Sequence, residues 1–291
     1  MAQVLINDAE KKFIVDGVEV NMRNDGRTCN SYRPMELECD LVSTANGSAR
    51  LRLANSDILV GVKTEIDAPH PDTPDLGKVE FFVDCSANAT PVFEGRGGED
   101  LATEISNSLS KAYYSSFPLH KLKIVSGHMC WKLTVDILIL ELGGNLFDAT
   151  SLAVKAALYS TQIPRVSTAA VDGKNIDLQL SDDPHDCWSL DVSCIPCLVT
   201  MCKIGDHHLV DPTQEEEACS NASLIMAVTR KGKITSTFKY GDSSLHYNSV
   251  TKILKAGVEV GKSLNQALDE ALVRESKLGP NRKKFGFLFV N

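Results

Sequence analysis

Apolar and polar positions along this chain change period several times, and the changes mark its elements. The stretch around which the chain is organised, WKLTVDILILELGGNLFDATSLAVKAAL over residues 131–158, holds two periods in succession. Leu133 to Leu142 is a near-continuous run of Ile, Leu and Val interrupted by Asp136 and Glu141. Such a run suits a strand buried on both faces, although periodicity by itself does not exclude a helix. Gly143, Gly144 and Asn145 follow, and from Ala149 the residues Leu152, Ala153, Ala156 and Ala157 recur at helical spacing. Strand, glycine turn and helix N-terminus together can hold a phosphate. Glycines admit close backbone approach, and the first helical turn offers unpaired N–H groups.

On either side the periods repeat on a smaller scale. Residues 6–19 read as a short helix beginning near Asp8, with Phe13 and Ile14 on the packed side. Pro34 restrains the chain just before a strand. Two alternating β-prone runs flank Asn55-Ser56 and predict a hairpin over residues 48–66. After a loop with Pro69, Pro71 and Pro74, Lys78 to Cys85 resumes as a strand. Leu101, Ile105, Leu109 and Ala112 lie three or four apart and predict a helix over Glu99 to Ala112. Ile163-Pro164-Arg165 ends the central helix, and a polar segment runs to about Asp191. Residues 196–204 with 207–211, and Ser223 to Val228 with Lys233 to Lys239, read as two further hairpins. The last element, Ser249 to Glu275, is an amphipathic helix with Val250, Ile253, Leu254, Val260, Leu264 and Leu268 along one stripe. Strands followed by a helix thus occur in each half, as two α+β units too dissimilar in residues to read as a repeat.

Composition narrows the partners. Within 291 residues, 38 acidic side chains outnumber 30 basic ones, for a net charge of −8. An acidic chain does not clamp a polyanion by bulk attraction, so any nucleic-acid contact needs a local basic patch or help from partners. No apolar run approaches the roughly 18 residues of a membrane span. The N-terminus, MAQVLINDAEKKF, mixes charges and lacks an apolar core, so no secretory signal is expected and an intracellular location is. There the nine cysteines are expected as reduced thiols. Cys194 and Cys197 form a CxxC that runs into a β-rich stretch, and Cys187, Cys202, His207 and His208 offer no second ordered pair for zinc. No metal is expected. The Asn-x-Ser/Thr triplets at Asn46, Asn88 and Asn221 carry no weight in that compartment.

Three groups of residues could carry chemistry. Arg23, Arg27 and Arg33 form the clearest basic cluster of the first half. They could pin an N-terminal arm through carboxylates or contact phosphates, since the guanidinium fork suits both. Arg96 is the one cation of a glycine loop that also holds Glu94, Glu99 and Asp100. Asp182, Asp183 and Asp186 could bind a divalent metal or serve as acid and base, but SDDPHD reads more readily as a solvated turn. The basic tail Arg282 to Lys284 is too short to read as a localisation signal.

In order along the chain stand NDGRTCNSYRPMELE, ILVGVKTEI, EFFVDCSANATPVFEGRGGEDL, ILELGGNLFDATSLAVKAAL, IPRV, LSDDP, LVDPTQEEEACS and LGPNRKKFGFL. With these blocks the chain resembles the RNase PH family over nearly its whole length, and within it the ring subunits of the eukaryotic exosome. The resemblance implies an α+β, RNase PH-like fold, a ribosomal protein S5 domain 2-like unit followed by a second α+β subdomain. It implies a helix and arm over residues 1–30, a first domain over 31–190 and a second over 191–291.

Active members degrade RNA from its 3′ end with inorganic phosphate, held by a Gly-Gly-Thr-Arg loop. Gly143 and Gly144 match that loop, whereas Asn145 and Leu146 replace threonine and arginine. Active relatives also carry an aspartate just before a Met-Pro-Val-type strand, where this chain has Cys194-Ile195-Pro196-Cys197. The arginine-rich RNA-gripping loop is reduced to Gly95-Arg96-Gly97-Gly98-Glu99-Asp100. The resemblance therefore implies a ring subunit without catalytic residues, cofactor or metal, supporting 3′-to-5′ RNA processing and degradation. Its implied partners are other RNase PH-like ring subunits, RNA-binding cap subunits, RNA and an associated nuclease. RNA contact is expected foremost at Arg96, then at Arg23, Arg27 and Arg33. Residence in nucleus, nucleolus and cytoplasm is inferred from the family. The alternative, a phosphorolytic 3′-to-5′ exoribonuclease, needs Asn145 and a distant arginine to rebuild the clamp, with Asp182, Asp183 or Asp186 as acid.

Overall fold

The computed structural model describes residues 6–278 except 172–174, 181, 182, 184, 185, 221 and 242. Asp182, Asn221 and the basic tail at Arg282 to Lys284 lie outside the described residues. Helix α1 (Asp8–Glu19) starts behind Asn7, whose N–H donates to the Glu10 carboxylate at 3.1 Å. Ile14 and Val18 are buried, but Phe13 is 67% exposed, which corrects the expectation that it packs. Consecutive helical residues are about 100° apart, so one of two neighbours faces the body.

A six-stranded sheet follows. It comprises β1 (Met35–Cys39), β2 (Gly47–Leu53), β3 (Ser56–Asp67), β4 (Lys78–Cys85), β5 (Lys123–Val125) and β6 (Met129–Glu141), in the order β1-β2-β3-β6-β4 with β5 paired to β6. Helix α2 (Glu99–Tyr114) lies on the crossover that lets β4 run parallel to β6, while the other pairs are antiparallel. The β2–β3 turn sits at Ala54-Asn55, one residue earlier than predicted, with Ala54 at φ 50°. Leu133, Val135, Ile137 and Ile139 of β6 are buried and Asp136 is exposed. The strand is therefore covered fully on one face and partly on the other, not fully on both.

Helix α3 (Leu146–Ser160) covers that buried face, and every residue from Leu146 to Leu158 is buried. A helix apolar almost all round needs neighbours all round. It packs on β2 and β3 and also on β11 of the second sheet, so one continuous core passes through it. Its single lysine, Lys155, is fully buried. Nζ donates to Asn265 Oδ1 at 2.8 Å and lies 3.4 Å from Asp269, which also pairs with Arg230.

Beyond α3 the chain forms β7 (Gln162–Pro164), β8 (Val166–Val171), β9 (Asn175–Leu180) and β10 (Cys187–Ser189). β8 pairs with β9 and β7 with β10, so much of the segment read only as polar is paired strand. Ile176, Leu178 and Leu180 fall at every second position of β9, a strand period that the sequence reading passed over. β11 (Cys197–Ile204), β12 (His207–Val210), helix α4 (Gln214–Cys219), β13 (Ala222–Val228) and β14 (Ile234–Tyr240) follow, the sheet order being β12-β11-β13-β14. Helix α5 (Tyr247–Leu278) backs this sheet, against β11 and β13. The N-terminal arm docks here and not on the first sheet. Ile14, Val18 and Cys29 share a small core with Cys202, Ile204, Leu209 and Cys219.

Candidate functional site

The glycine turn after β6 begins α3 three residues earlier than the spacing predicts. Gly144 stands at φ 91° and Asn145 at φ 54°, and Asn145 is the residue that precedes the helix. Asparagine tolerates the left-handed region better than most residues, so Gly-Gly-Asn is a local signal for this sharp entry.

The turn is packed full by the rest of the chain. A Cβ on Gly143 would lie 2.6 Å from Asn55, and one on Gly144 would lie 2.7 Å from Gln214 N and 2.8 Å from Pro212 O. The N–H of Asn145, the residue just before α3, donates to Glu217 Oε1 at 2.8 Å. Its side-chain amide donates to Asp148 Oδ2 at 3.0 Å and Asp211 Oδ1 at 2.9 Å. Leu146 is buried in the main core, so the position aligned with the phosphate-binding arginine points into packing.

Arg33 ties the turn down. Its guanidinium donates to Asp211 at 2.9 and 2.8 Å, to Gly143 O at 2.6 Å and to Gly144 O at 3.1 Å. Ser56 Oγ donates to Gly144 O at 2.7 Å. Burial alone would raise the Asp211 carboxyl, but the bonds and charge of Arg33 outweigh it and hold it below the usual range. Arg27 donates to Asp25 Oδ2 at 2.6 Å and lies 3.0 Å from Asp211. Arg23 is buried, pairs with the Glu216 carboxylate, and donates to the carbonyls of Val210 at 2.9 Å and Asp211 at 2.7 Å.

These contacts decide between the two roles left open for the arginine cluster. The arginines pin the arm and the glycine turn to the α4 region through carboxylates and carbonyls. These contacts give no support to Arg23, Arg27 and Arg33 as RNA contacts, because they direct the guanidinium donors to carboxylates and carbonyls of the chain itself. Arg96 differs. Its side chain is 90% exposed on the loop before α2, with Nε 3.6 Å from Glu99.

A cleft of about 520 Å³ opens beside the turn, lined by Arg27, Arg33, Asn55, Gly143 and residues 213–216. Asp25, Glu215 and Glu216 line it too, so three carboxylates face two arginines already paired. That balance disfavours a phosphate. Cys194 is exposed and Cys197 buried, with Cys197 Sγ 3.2 Å from Asn265 Oδ1, so the CxxC forms no joint site. Asp186 lies 3.5 Å from Arg165, and its N–H bonds the Asp183 carbonyl at 3.0 Å. Among the described residues no acidic, His or Cys cluster could hold a metal.

Sequence reasoning missed two acids at the turn. Asp148 is fully buried and accepts from Tyr32 Oη at 2.8 Å and Thr200 Oγ1 at 2.7 Å; burial pushes its carboxyl up to about 6. Burial likewise raises Glu217 to about 7. An acid within the apolar run LFDATSLAV was the signal for Asp148. For α4 it was Thr213-x-x-Glu216, whose reciprocal bonds measure 2.8 and 3.4 Å.

Comparison with known proteins agrees with this architecture. The model for domain 1 of the 3′ exoribonuclease (RNase PH) family matches residues 31–164, and that for domain 2 matches residues 194–260. A protein of Dictyostelium discoideum named as an exosome complex exonuclease RRP42 is 33% identical, over 92% of this chain and 98% of its own length. The chain belongs to the RNase PH family. Exosome complex component Rrp42 of Methanothermobacter thermautotrophicus is also 33% identical, over 92% of this chain and 97% of that protein. The Archaeoglobus fulgidus exosome solved with RNA at its active site superposes with a TM-score of 0.74 at 26% identity, covering 89% of this chain and 98% of that one. Rice Rrp46, at 15% identity and a TM-score of 0.62, shares the fold. The fold is thus the α+β, RNase PH-like one.

Proposed function

We propose that this protein is a non-catalytic ring subunit of the RNA exosome, supporting 3′-to-5′ RNA processing and degradation, ribosomal RNA maturation and messenger RNA turnover included. Its similarity to Rrp42 exosome components supports the assembly, and one contact above all supports the silence. The N–H that would greet a phosphate at the start of α3 is held by the chain's own Glu217. The subunit helps form a central RNA channel with other RNase PH-like subunits, beneath RNA-binding caps, and delivers RNA to a separate nuclease. Arg96, exposed and on a glycine loop, is the residue through which it touches RNA. It works in nucleus, nucleolus and cytoplasm.

A second reading, a phosphorolytic exoribonuclease, draws on the cleft that Arg27 and Arg33 line next to Gly143. It requires both arginines to leave Asp211, stranding a buried carboxylate, which costs several kcal/mol.

Native mass spectrometry of the tagged protein from its own cells tests the first reading. One copy among several different RNase PH-like subunits is expected. A monomer or a homomeric ring, releasing nucleoside diphosphates from RNA on addition of inorganic phosphate, would overturn it in favour of the second.

A further inference from the structure

Strand β1 ends the six-stranded sheet, and the bonds at its two ends fix which backbone groups face outward. Ala54 N–H donates to Pro34 O at 3.2 Å and Asp40 N–H donates to Ser48 O at 2.9 Å. In the β1–β2 register these are like pairs, so Glu36 and Glu38 also face β2. Alternate residues of an antiparallel ladder turn their N–H and C=O groups away. At Met35 and Leu37 those outward groups meet no partner among the described residues. Beside this edge an apolar groove of about 540 Å³ separates β1 from α5. Met35, Leu37 and Leu51 line its sheet side, and Val260, Leu264 and Leu268 line its helix side. An unpaired edge beside an apolar trough is the receiving half of strand addition.

The sequence after α5 has the complementary half. Phe285, Phe287 and Phe289 alternate with Gly286, Leu288 and Val290. In an extended segment that period puts three rings on one face. Arg282, Lys283 and Lys284 precede them, whereas β1 carries Glu36 and Glu38 and the groove is rimmed by Glu259. The lengths agree as well. The groove's helix residues run from Glu259 to Ala271, and α5 ends at Leu278. Those limits lie about 28 and 10 Å back along the helix axis. Extended chain from Leu278 reaches about 23 Å at Phe285 and about 36 Å at Phe289.

We propose that residues 285–289 add to β1 as a further edge strand and seat Phe285, Phe287 and Phe289 in the groove between β1 and α5. This goes beyond the ring-subunit reading and does not depend on it.

Hydrogen–deuterium exchange of the 35–39 peptide tests the proposal. The full chain is compared with a chain ending at Leu278 and with a full chain carrying Phe285→Ser, Phe287→Ser and Phe289→Ser. The full chain is expected to exchange about tenfold more slowly than both variants, with β2 and β3 unchanged. A peptide of residues 280–291 added to the shortened chain should restore the slow exchange. The triple variant keeps the test decisive where the shortened chain fails to fold. Equal rates in all forms would overturn the proposal. So would slow exchange that disappears on dilution, marking a second copy as the occupant, or that arises only in the hetero-assembly, marking a neighbouring subunit.

Discussion

Glu217 Oε1 sits 2.8 Å from Asn145 N, so a carboxyl group of α4 occupies the N–H just before α3. A helix N-terminus attracts anions through its unpaired N–H groups and its dipole. Here the acceptor is internal, and it comes from the second half of the chain to a turn made by the first.

That contact has a pH signature. Burial raises the Glu217 carboxyl from 4.5 to about 7. The folded state thus holds this proton more tightly than the unfolded state, and stability from this group is lost as pH rises between those values. Glu217→Gln keeps an acceptor for Asn145 and has no charge to bury. Relative to the parent, it should gain about 1–3 kcal/mol between pH 4 and pH 8. Urea unfolding at the two pH values measures this, and a pH-independent difference would count against it.

Arg33 links Asp211 to the carbonyls of Gly143 and Gly144. Arg33→Ala leaves Asp211 buried with one ion-pair partner fewer and the Gly143 carbonyl unmet, Gly144 O keeping its bond from Ser56, at a cost of about 3–5 kcal/mol. Arg33→Lys should recover little, because one ammonium cannot reproduce the fork. Denaturant midpoints of the two variants give the comparison.

Arg23 and Glu216 form a buried pair between the arm and α4. Arg23→Met or Glu216→Leu alone should each cost about 3–5 kcal/mol. The double change Arg23→Met with Glu216→Leu should cost less than either, since no lone charge remains. A double-mutant cycle by thermal unfolding reads the coupling directly.

Arg96 predicts the opposite profile. Exposed on its loop, it can become Glu with a stability change within about 0.5 kcal/mol. In the assembled complex Arg96→Glu should weaken ultraviolet crosslinking of RNA to this subunit. Unchanged crosslinking would remove Arg96 from the RNA path.

The sequence by itself determined the elements whose period is strong. Lys78 to Cys85, Glu99 onward, the hairpin at Cys197 and the long last helix lie where apolar spacing puts them. It also determined the glycine turn, because Gly-Gly-Asn admits positive φ where few residues do, and the residue types there that depart from a phosphate clamp. Periodicity is local, and a side chain's partner is not. Whether Arg23, Arg27 and Arg33 meet phosphates or carboxylates rested on Asp211 and Glu216, more than 170 residues away in each pairing. The short α4 was likewise fixed by its cap and its seat against the turn rather than by an apolar stripe. Only the tertiary structure brings the two halves together around α3. There burial makes each unpaired charge costly, and Glu217, Asp211 and Arg33 settle one another's state.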